Sequence, residues 1–143
     1  MPPAPEPKRR GLSVLAPPGW ARPRGYANGI AARGTLVFVA GQIGWDARQV
    51  VVGEDIVAQV AQALRNVVTV LQEAGARPEH VARMTWYVTD RHAYHARSGE
   101  IGSAYRACFG RHYPAMTLVE VAGLAEPGAV VEIEATAVVP DPA

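Results

Sequence analysis

The sequence predicts one α+β domain in which about six strands form a mixed sheet and two helices pack on one of its faces. Three observations lead to this prediction. A chain of 143 residues fits around a single core, and its 49% of hydrophobic residues can fill that core. Segments with the apolar spacing of a helix alternate along the chain with segments that have the spacing of a strand. The elements follow the order β-β-α-β and then α-β-β, which is typical of helices gathered on one side of a sheet.

Proline marks the N-terminal segment. Seven of the twelve prolines precede residue 24, and proline disfavours both helix interiors and sheet ladders. We therefore expect residues 1–24 to form an arm, in which Lys8, Arg9 and Arg10 serve solubility. The domain itself is expected over residues 25–140, followed by a short tail at 141–143.

The first half of the domain contains a strand and the clearest helix. The β-branched and aromatic run 35–40 predicts a buried strand, with Tyr26–Ala32 as its hairpin partner and residues 41–46 as a loop. Apolar residues in a 3-4-3-4 spacing predict a helix over Glu54–Ala74, with Gly75 ending it and the Gln and Arg residues of its other face solvated.

The second half begins with a strand over Val81–Val88 that carries bulky residues on both faces. Asp90 is expected to cap a second helix, over roughly Ala93–Phe109. Two further strands are predicted over Met116–Val121 and Val130–Val139.

One face of such a sheet has no helix to cover it. We expect that face to carry Val37, Val39, Thr117 and Val119, or their alternates. Association with further copies of the chain is the simplest way to bury it.

Composition excludes several classes of function. A balance of 14 Lys and Arg against 13 Asp and Glu gives a net charge of +1, without the clustered positive charge that nucleic acid requires. No run approaches the length of a membrane span, and no apolar stretch follows the N-terminal charges as in a signal peptide. The single cysteine, Cys108, cannot form an internal disulfide and is interpreted as a small buried hydrophobe. A cytoplasmic location without membrane partners is therefore expected.

Few residues carry recognisable chemistry. His80, His92, His95 and His112 lack the spacing and partners of metal ligands, so no metal site is expected. Carboxylates within apolar strands must be paired, hydrated or functional, and three glutamates fit that description. Pairing within the structure accounts best for Glu120 and Glu134, while Glu132 stays open to a catalytic role.

Several motifs occur together in a recognisable order. They are Tyr26-Ala27-Asn28-Gly29, the stretch Val37–Ile43, Gln59–Asn66, Leu71–Ala76, Tyr113-Pro114-Ala115 and Val131–Ala135. In this combination the chain resembles the Rid family of reactive intermediate deaminases, historically called the L-PSP endoribonuclease family, over about residues 26–139. The resemblance implies a chorismate-mutase-like fold and a homotrimer with ligand clefts between subunits.

The resemblance also implies a chemistry. Active members hydrolyse 2-imino or 2-enamino acids to 2-keto acids and ammonium without a metal or organic cofactor. An arginine binds the substrate carboxylate, and a glutamate with backbone groups positions the attacking water. By the resemblance, Glu132 and Gln42 are the catalytic candidates. The residues expected to bind the small-molecule ligand are Tyr26, Ala40, Gly41, Gly102, Met116 and Leu118.

Four of these positions depart from the pattern of active members. Met116 stands where they have the arginine, Leu118 where they have a cysteine, Ala40 where they have a serine and Gly102 where they have an asparagine. Arg111 and Arg106 are the two candidates to replace the missing guanidinium, because both lie near Met116 in the chain.

Two hypotheses follow. The first is a Rid-type hydrolase acting on an imine, an enamine or a related metabolite other than the standard 2-imino acids. The second is a non-catalytic homotrimer on the same scaffold that binds a small molecule or has a regulatory role. The ribonuclease activity of the historical family label has no support in the charge pattern.

Overall fold

Two sheets form the framework of the chain. The computed structural model describes residues 11–142, so Lys8, Arg9 and Arg10 lie outside the described residues. A four-stranded sheet has the order β3 (Thr35–Ile43), β6 (Val131–Val139), β4 (Val81–Val88) and β5 (Ala115–Glu120). Its neighbours pair antiparallel except β4 and β5, which are parallel. The mixed α+β class is therefore confirmed.

A separate hairpin accounts for the other two strands. β1 (Ser13–Leu15) pairs antiparallel with β2 (Gly29–Ala31). The expectation that residues 26–32 pair with β3 is therefore wrong. Their strand, β2, pairs instead with β1, which belongs to the N-terminal arm. The chain just before β2 joins the larger sheet only through an isolated parallel bridge from Ala27 to Ala115.

The long helix α1 (Ile56–Glu73) packs its apolar side on the sheet. It begins two residues after the predicted start because Asp55 is the N-cap and accepts a hydrogen bond from the Ala58 N–H at 3.0 Å. Gly75 follows its end with a φ of +67°, a conformation that a side chain disfavours. Val60, Leu64, Val67 and Leu71 are fully buried, as the 3-4-3-4 spacing predicts.

The expected second helix is divided in two. α2 (Arg91–Ala96) begins at its N-cap Asp90, which accepts hydrogen bonds from two backbone N–H groups as predicted. α3 (Ser98–Phe109) follows after one residue, Arg97, whose φ of −113° and ψ of 19° leave helical geometry. The Arg97 guanidinium fixes this junction by pairing with Asp55 and Glu100 at 2.9 and 2.7 Å.

A register shift in β4 changes which residues share its inner face. The pairing with β6 slips between Val81 and Arg83, so one residue of β4 is bulged out of the ladder. Val81 therefore packs in the core with Met84, whereas strict alternation places it with Arg83 on the opposite face.

All helices that pack on the sheet lie on one face, and the other face is open in a single chain. Thr117 and Val119 lie on this open face as expected, because they pair in register with Thr85 and Tyr87. On β3 the alternate residues face outward: Phe38 is 73% exposed, whereas Val39 is 3% exposed and belongs to the core.

Two amides of α1 are structural, and the burial of Gln59 contradicts the expectation that the Gln residues of this helix are solvated. Gln59 is fully buried and makes hydrogen bonds of 2.7–2.9 Å with the Gly53 carbonyl, the Gly128 carbonyl and the Val130 N–H. Asn66 donates to the carbonyls of Ile43 and Trp45 at 3.1 and 2.8 Å. Both amides tie loops to the helix, and α1 thereby positions the end of β3 and the start of β6.

Across residues 11–142, every helix is too short or too polar to traverse a lipid bilayer.

Candidate active site

A cavity of about 480 Å³ opens at the β5 edge of the sheet, a size that suits a small-molecule ligand. The segment 24–26, β4, β5 and the helices α2 and α3 contribute its walls. Four of the predicted binding residues line it: Tyr26, Gly102, Met116 and Leu118.

The sheet register explains why Met116 and Leu118 reach this cavity. They pair with Met84 and Trp86 of β4, and in-register residues of parallel strands point to the same face. That face carries the helices, so both side chains pack against the core while bordering the cavity at the sheet edge.

Aromatic side chains form much of the wall. Trp86 packs against Tyr94 and Tyr105 with ring centroids 6.4 and 6.3 Å apart, and Tyr105 stacks on Tyr113 at 5.5 Å. Burial raises the pKa of Tyr94 and of Tyr105, which keeps both phenols neutral at physiological pH. The Tyr105 hydroxyl donates to the His112 carbonyl, which fixes its ring in the wall.

One donor in this wall has no acceptor. Trp86 is 4% exposed, and its buried Nε1–H makes no hydrogen bond within residues 11–142. An unpaired buried donor is costly and uncommon in folded proteins.

The charges around the cavity are all positive. Arg24 and Arg106 line it, and the described lining residues include no Asp or Glu. The Arg106 guanidinium folds back over Gly102, where its Nη1 lies 3.1 Å from the position that a Cβ would take. Its side-chain contact is a long hydrogen bond of 3.4 Å to the Ser103 hydroxyl. Arg111 does not line the cavity.

A second group of predicted residues lies where β3 meets β6. Gly41 and Gln42 are part of strand β3, so the loop expected at 41–46 begins later. The β3–β6 register shifts between Val39 and Gln42, which makes Ala40 and Gly41 a bulge. The Gln42 side chain donates to the Ala40 carbonyl at 3.0 Å.

Glu132 lies directly against this bulge. A Cβ on Gly41 would overlap the Glu132 carboxylate, so only glycine permits this approach. Glu132 alternates with the core residues Val131 and Ile133, which places it on the open face of the sheet. It forms no ion pair with another described residue.

The other strand carboxylates have structural partners, as expected. Glu120 accepts the Arg91 backbone N–H at 3.0 Å, and Glu134 accepts the Tyr87 hydroxyl at 3.0 Å. Within the described part of the chain, no three His, Cys, Asp or Glu side chains gather as metal ligands do.

The two groups do not meet in one chain. Gly41 and Gln42 lie on β3, about 14 Å from β5 at the usual strand spacing, and Glu132 lies on β6, about 10 Å from β5. Met116 faces the helices and Glu132 faces away from them. A single chain therefore brings Ala40 and Gly41 close to the catalytic candidates Gln42 and Glu132, and it keeps the binding residues of the cavity apart from them.

Sequence comparison identifies the family. The sequence profile described as Endoribonuclease L-PSP matches residues 21–139. The chain belongs to this family, which includes the Rid proteins. It is 34% identical over 116 residues to a 2-iminobutanoate/2-iminopropanoate deaminase of Salmonella typhimurium, covering 79% of this chain and 86% of the relative. A RutC family protein of Pyrococcus abyssi is 37% identical over 106 residues, covering 73% of this chain and 79% of the relative.

Solved structures agree with this Rid assignment. A protein of unknown function of the conserved Rid family from Yersinia pestis superposes with a TM-score of 0.81 at 31% identity, covering 90% of this chain and 99% of that one. The expected Rid fold is thereby confirmed.

Some residues of the Rid cavity were not predicted from the sequence. Trp86, Tyr94 and Arg24 line it alongside the predicted residues. The motif Tyr113-Pro114-Ala115 directly precedes Met116, and Tyr113 is part of the cavity wall. For Arg24 the sequence holds no signal, because its place depends on how the arm folds back.

Proposed function

We propose that the chain is a Rid-type hydrolase that deaminates a reactive imine, an enamine or a related small metabolite. The observation that carries the proposal is the contact of Glu132 with the bare Gly41, since it leaves a carboxylate without an ionic partner beside exposed backbone. The Salmonella and Escherichia coli relatives named as 2-iminobutanoate/2-iminopropanoate deaminases support the reaction class.

The active site is proposed to lie between subunits of a homotrimer. The open sheet face carries the exposed Phe38 and Val119, which association would bury. Since Glu132 faces away from the helices while the aromatic cavity lies beside them, the bulge of one copy would complete the cavity of another. A homotrimer closes such head-to-tail contacts by rotation.

The chemistry needs one water and one base. Glu132 orients a water, takes one of its protons as the water oxygen bonds to the imine carbon, and passes that proton to the imine nitrogen, which gives a carbinolamine. The hydroxyl proton of the carbinolamine then moves to the nitrogen, again through Glu132, as the C–N bond breaks, a C=O bond forms and ammonia leaves. The Gly41 region or Gln42 stabilises the charge that develops on the way.

Met116 limits the substrate. A charge-assisted pair between a guanidinium and a carboxylate contributes about 1.5–3 kcal/mol, which a thioether cannot supply. Standard 2-imino acids would lose about 10- to 100-fold in affinity at this position. The natural substrate therefore does not rely on a carboxylate at position 116.

The test uses an amino-acid oxidase to generate 2-imino acids in situ and follows their decay with wild type, Met116→Arg, Glu132→Gln and no protein. We expect Met116→Arg to accelerate decay above the wild-type rate. Glu132→Gln introduced into the Met116→Arg protein should abolish that gain while the melting profile stays unchanged.

Either of two results would contradict the proposal. Equal rates of imine decay for the Met116→Arg protein with and without Glu132→Gln would show that Glu132 takes no part in the reaction. Failure of every variant on 2-imino acids and on a panel of enamines, combined with saturable binding of a metabolite that is not consumed, would favour the non-catalytic binding homotrimer.

A further inference from the structure

The guanidinium missing from position 116 has a replacement on a different element. Arg106 and Met116 border the same cavity, one from α3 and the other from β5. Arg106 forms no ion pair with any described residue, so its charge is free to meet a ligand.

Gly102 makes room for this guanidinium. Residues four apart on a helix are neighbours, and long side chains lean toward the N-terminus of the helix. Here the guanidinium lies across Gly102, so close that a Cβ at this position would crowd it. A larger residue at position 102 would push Arg106 away from the cavity. The bare Gly102 therefore leaves room for the Arg106 guanidinium beside the cavity.

The aromatic wall supplies an independent observation. Trp86 belongs to this wall, and its buried Nε1–H has no acceptor within the described chain, which makes that group a reporter of binding. The flat rings of Trp86, Tyr94 and Tyr113 favour a ligand whose body is planar.

We propose that Arg106 is the residue that binds the substrate anion, and that the substrate is a carboxylate with a flat aromatic or conjugated body. This inference rests on the proposed function, since it names the substrate class of the same site. In active members of the family, by the resemblance, the anion-binding arginine occupies the position of Met116 on β5. Here the anion-binding charge lies on α3, so the ligand would have a different orientation in the cavity.

The test measures binding with stable probes and no turnover. Phenylglyoxylate offers a carboxylate, a carbonyl and an aromatic ring, and phenylglyoxylamide is its neutral counterpart. Isothermal titration should show that wild type prefers the acid. Arg106→Gln should weaken binding of the acid about 10- to 100-fold and leave binding of the amide unchanged.

Two variants sharpen the interpretation. Arg106→Lys keeps the charge without the planar fork and should give an intermediate affinity. Arg111→Gln removes an arginine outside the cavity and should bind both probes as wild type does. In ¹H–¹⁵N spectra the Trp86 indole N–H, assigned with Trp86→Phe, should shift when the acid binds.

Three results would overturn the inference. These are equal binding of acid and amide by wild type, absence of binding of either probe, and full retention of acid binding by Arg106→Gln. Loss of acid binding in Arg24→Gln alone would assign the role to Arg24 instead. Acid binding through Arg106 without imine hydrolysis would contradict only the proposed function, and hydrolysis without acid binding only this inference.

Discussion

Replacement of Gln59 tests whether one buried amide holds the segments that precede α1 and β6. Gln59→Leu keeps much of the side-chain volume but removes all three hydrogen bonds, to the carbonyls of Gly53 and Gly128 and the N–H of Val130. At about 0.5–1.5 kcal/mol for each bond, the loss in free energy of unfolding is about 1.5–4.5 kcal/mol. The carbonyls belong to exposed glycines that water can reach, which favours the lower half of that range.

The assay is urea unfolding of wild type and variant at one protein concentration, because association shifts the apparent stability. Gln72→Leu is the matched control, since Gln72 is exposed on the same helix and should change the free energy of unfolding by less than about 0.5 kcal/mol. A loss below about 1 kcal/mol for Gln59→Leu, or an equal loss in both variants, would refute the reasoning.

Two further predictions concern titratable groups. Hydrogen bonds from the Ala58 N–H and from Arg97 lower the pKa of Asp55 below its ordinary value of 3.8, so its contribution to stability is present above that pH and is lost as the pH falls through the folded-state pKa. Asp55→Asn keeps a capping oxygen but removes the charge. Thermal unfolding should show that the variant is less stable than wild type at neutral pH and equally stable in acid. A stability difference that stays constant with pH would contradict this prediction. Burial raises the pKa of the Cys108 thiol, so alkylation at pH 8 should be slower in the folded protein than in guanidinium, and equal rates would show an exposed thiolate.

Regular elements were predictable wherever periodicity is uninterrupted. The 3-4-3-4 spacing located α1, and the alternating residues gave β4 its observed bounds of Val81 and Val88. Bulges were not predictable, because one extra residue in a strand changes the face of its neighbours without changing composition. For this reason the sequence predicts Val81 on the wrong face of β4 and Gly41 in a loop, although Gly41 lies within β3. Nor does a sequence distinguish Gln59, which is buried, from a solvated glutamine on the same helix.

The candidate site was predictable only in part. Motif resemblance selected Tyr26, Gly102, Met116 and Leu118, and the structure places all four around one cavity. The choice between the two candidate arginines needed coordinates, because only Arg106 borders that cavity. The aromatic wall escaped prediction since it depends on the parallel pairing of β4 with β5, which local spacing does not reveal.

The division of the proposed site between β5 with α3 on one side and the β3–β6 pair on the other separates two kinds of evolutionary change. Substitutions at Met116 and Arg106 would alter which ligand is held, and both residues lie on elements other than those of Glu132 and Gly41. In the proposed trimer, ligand preference can therefore change on β5 and α3 while the residues that handle water stay fixed on β3 and β6, so one scaffold can acquire new substrates without rebuilding its chemistry.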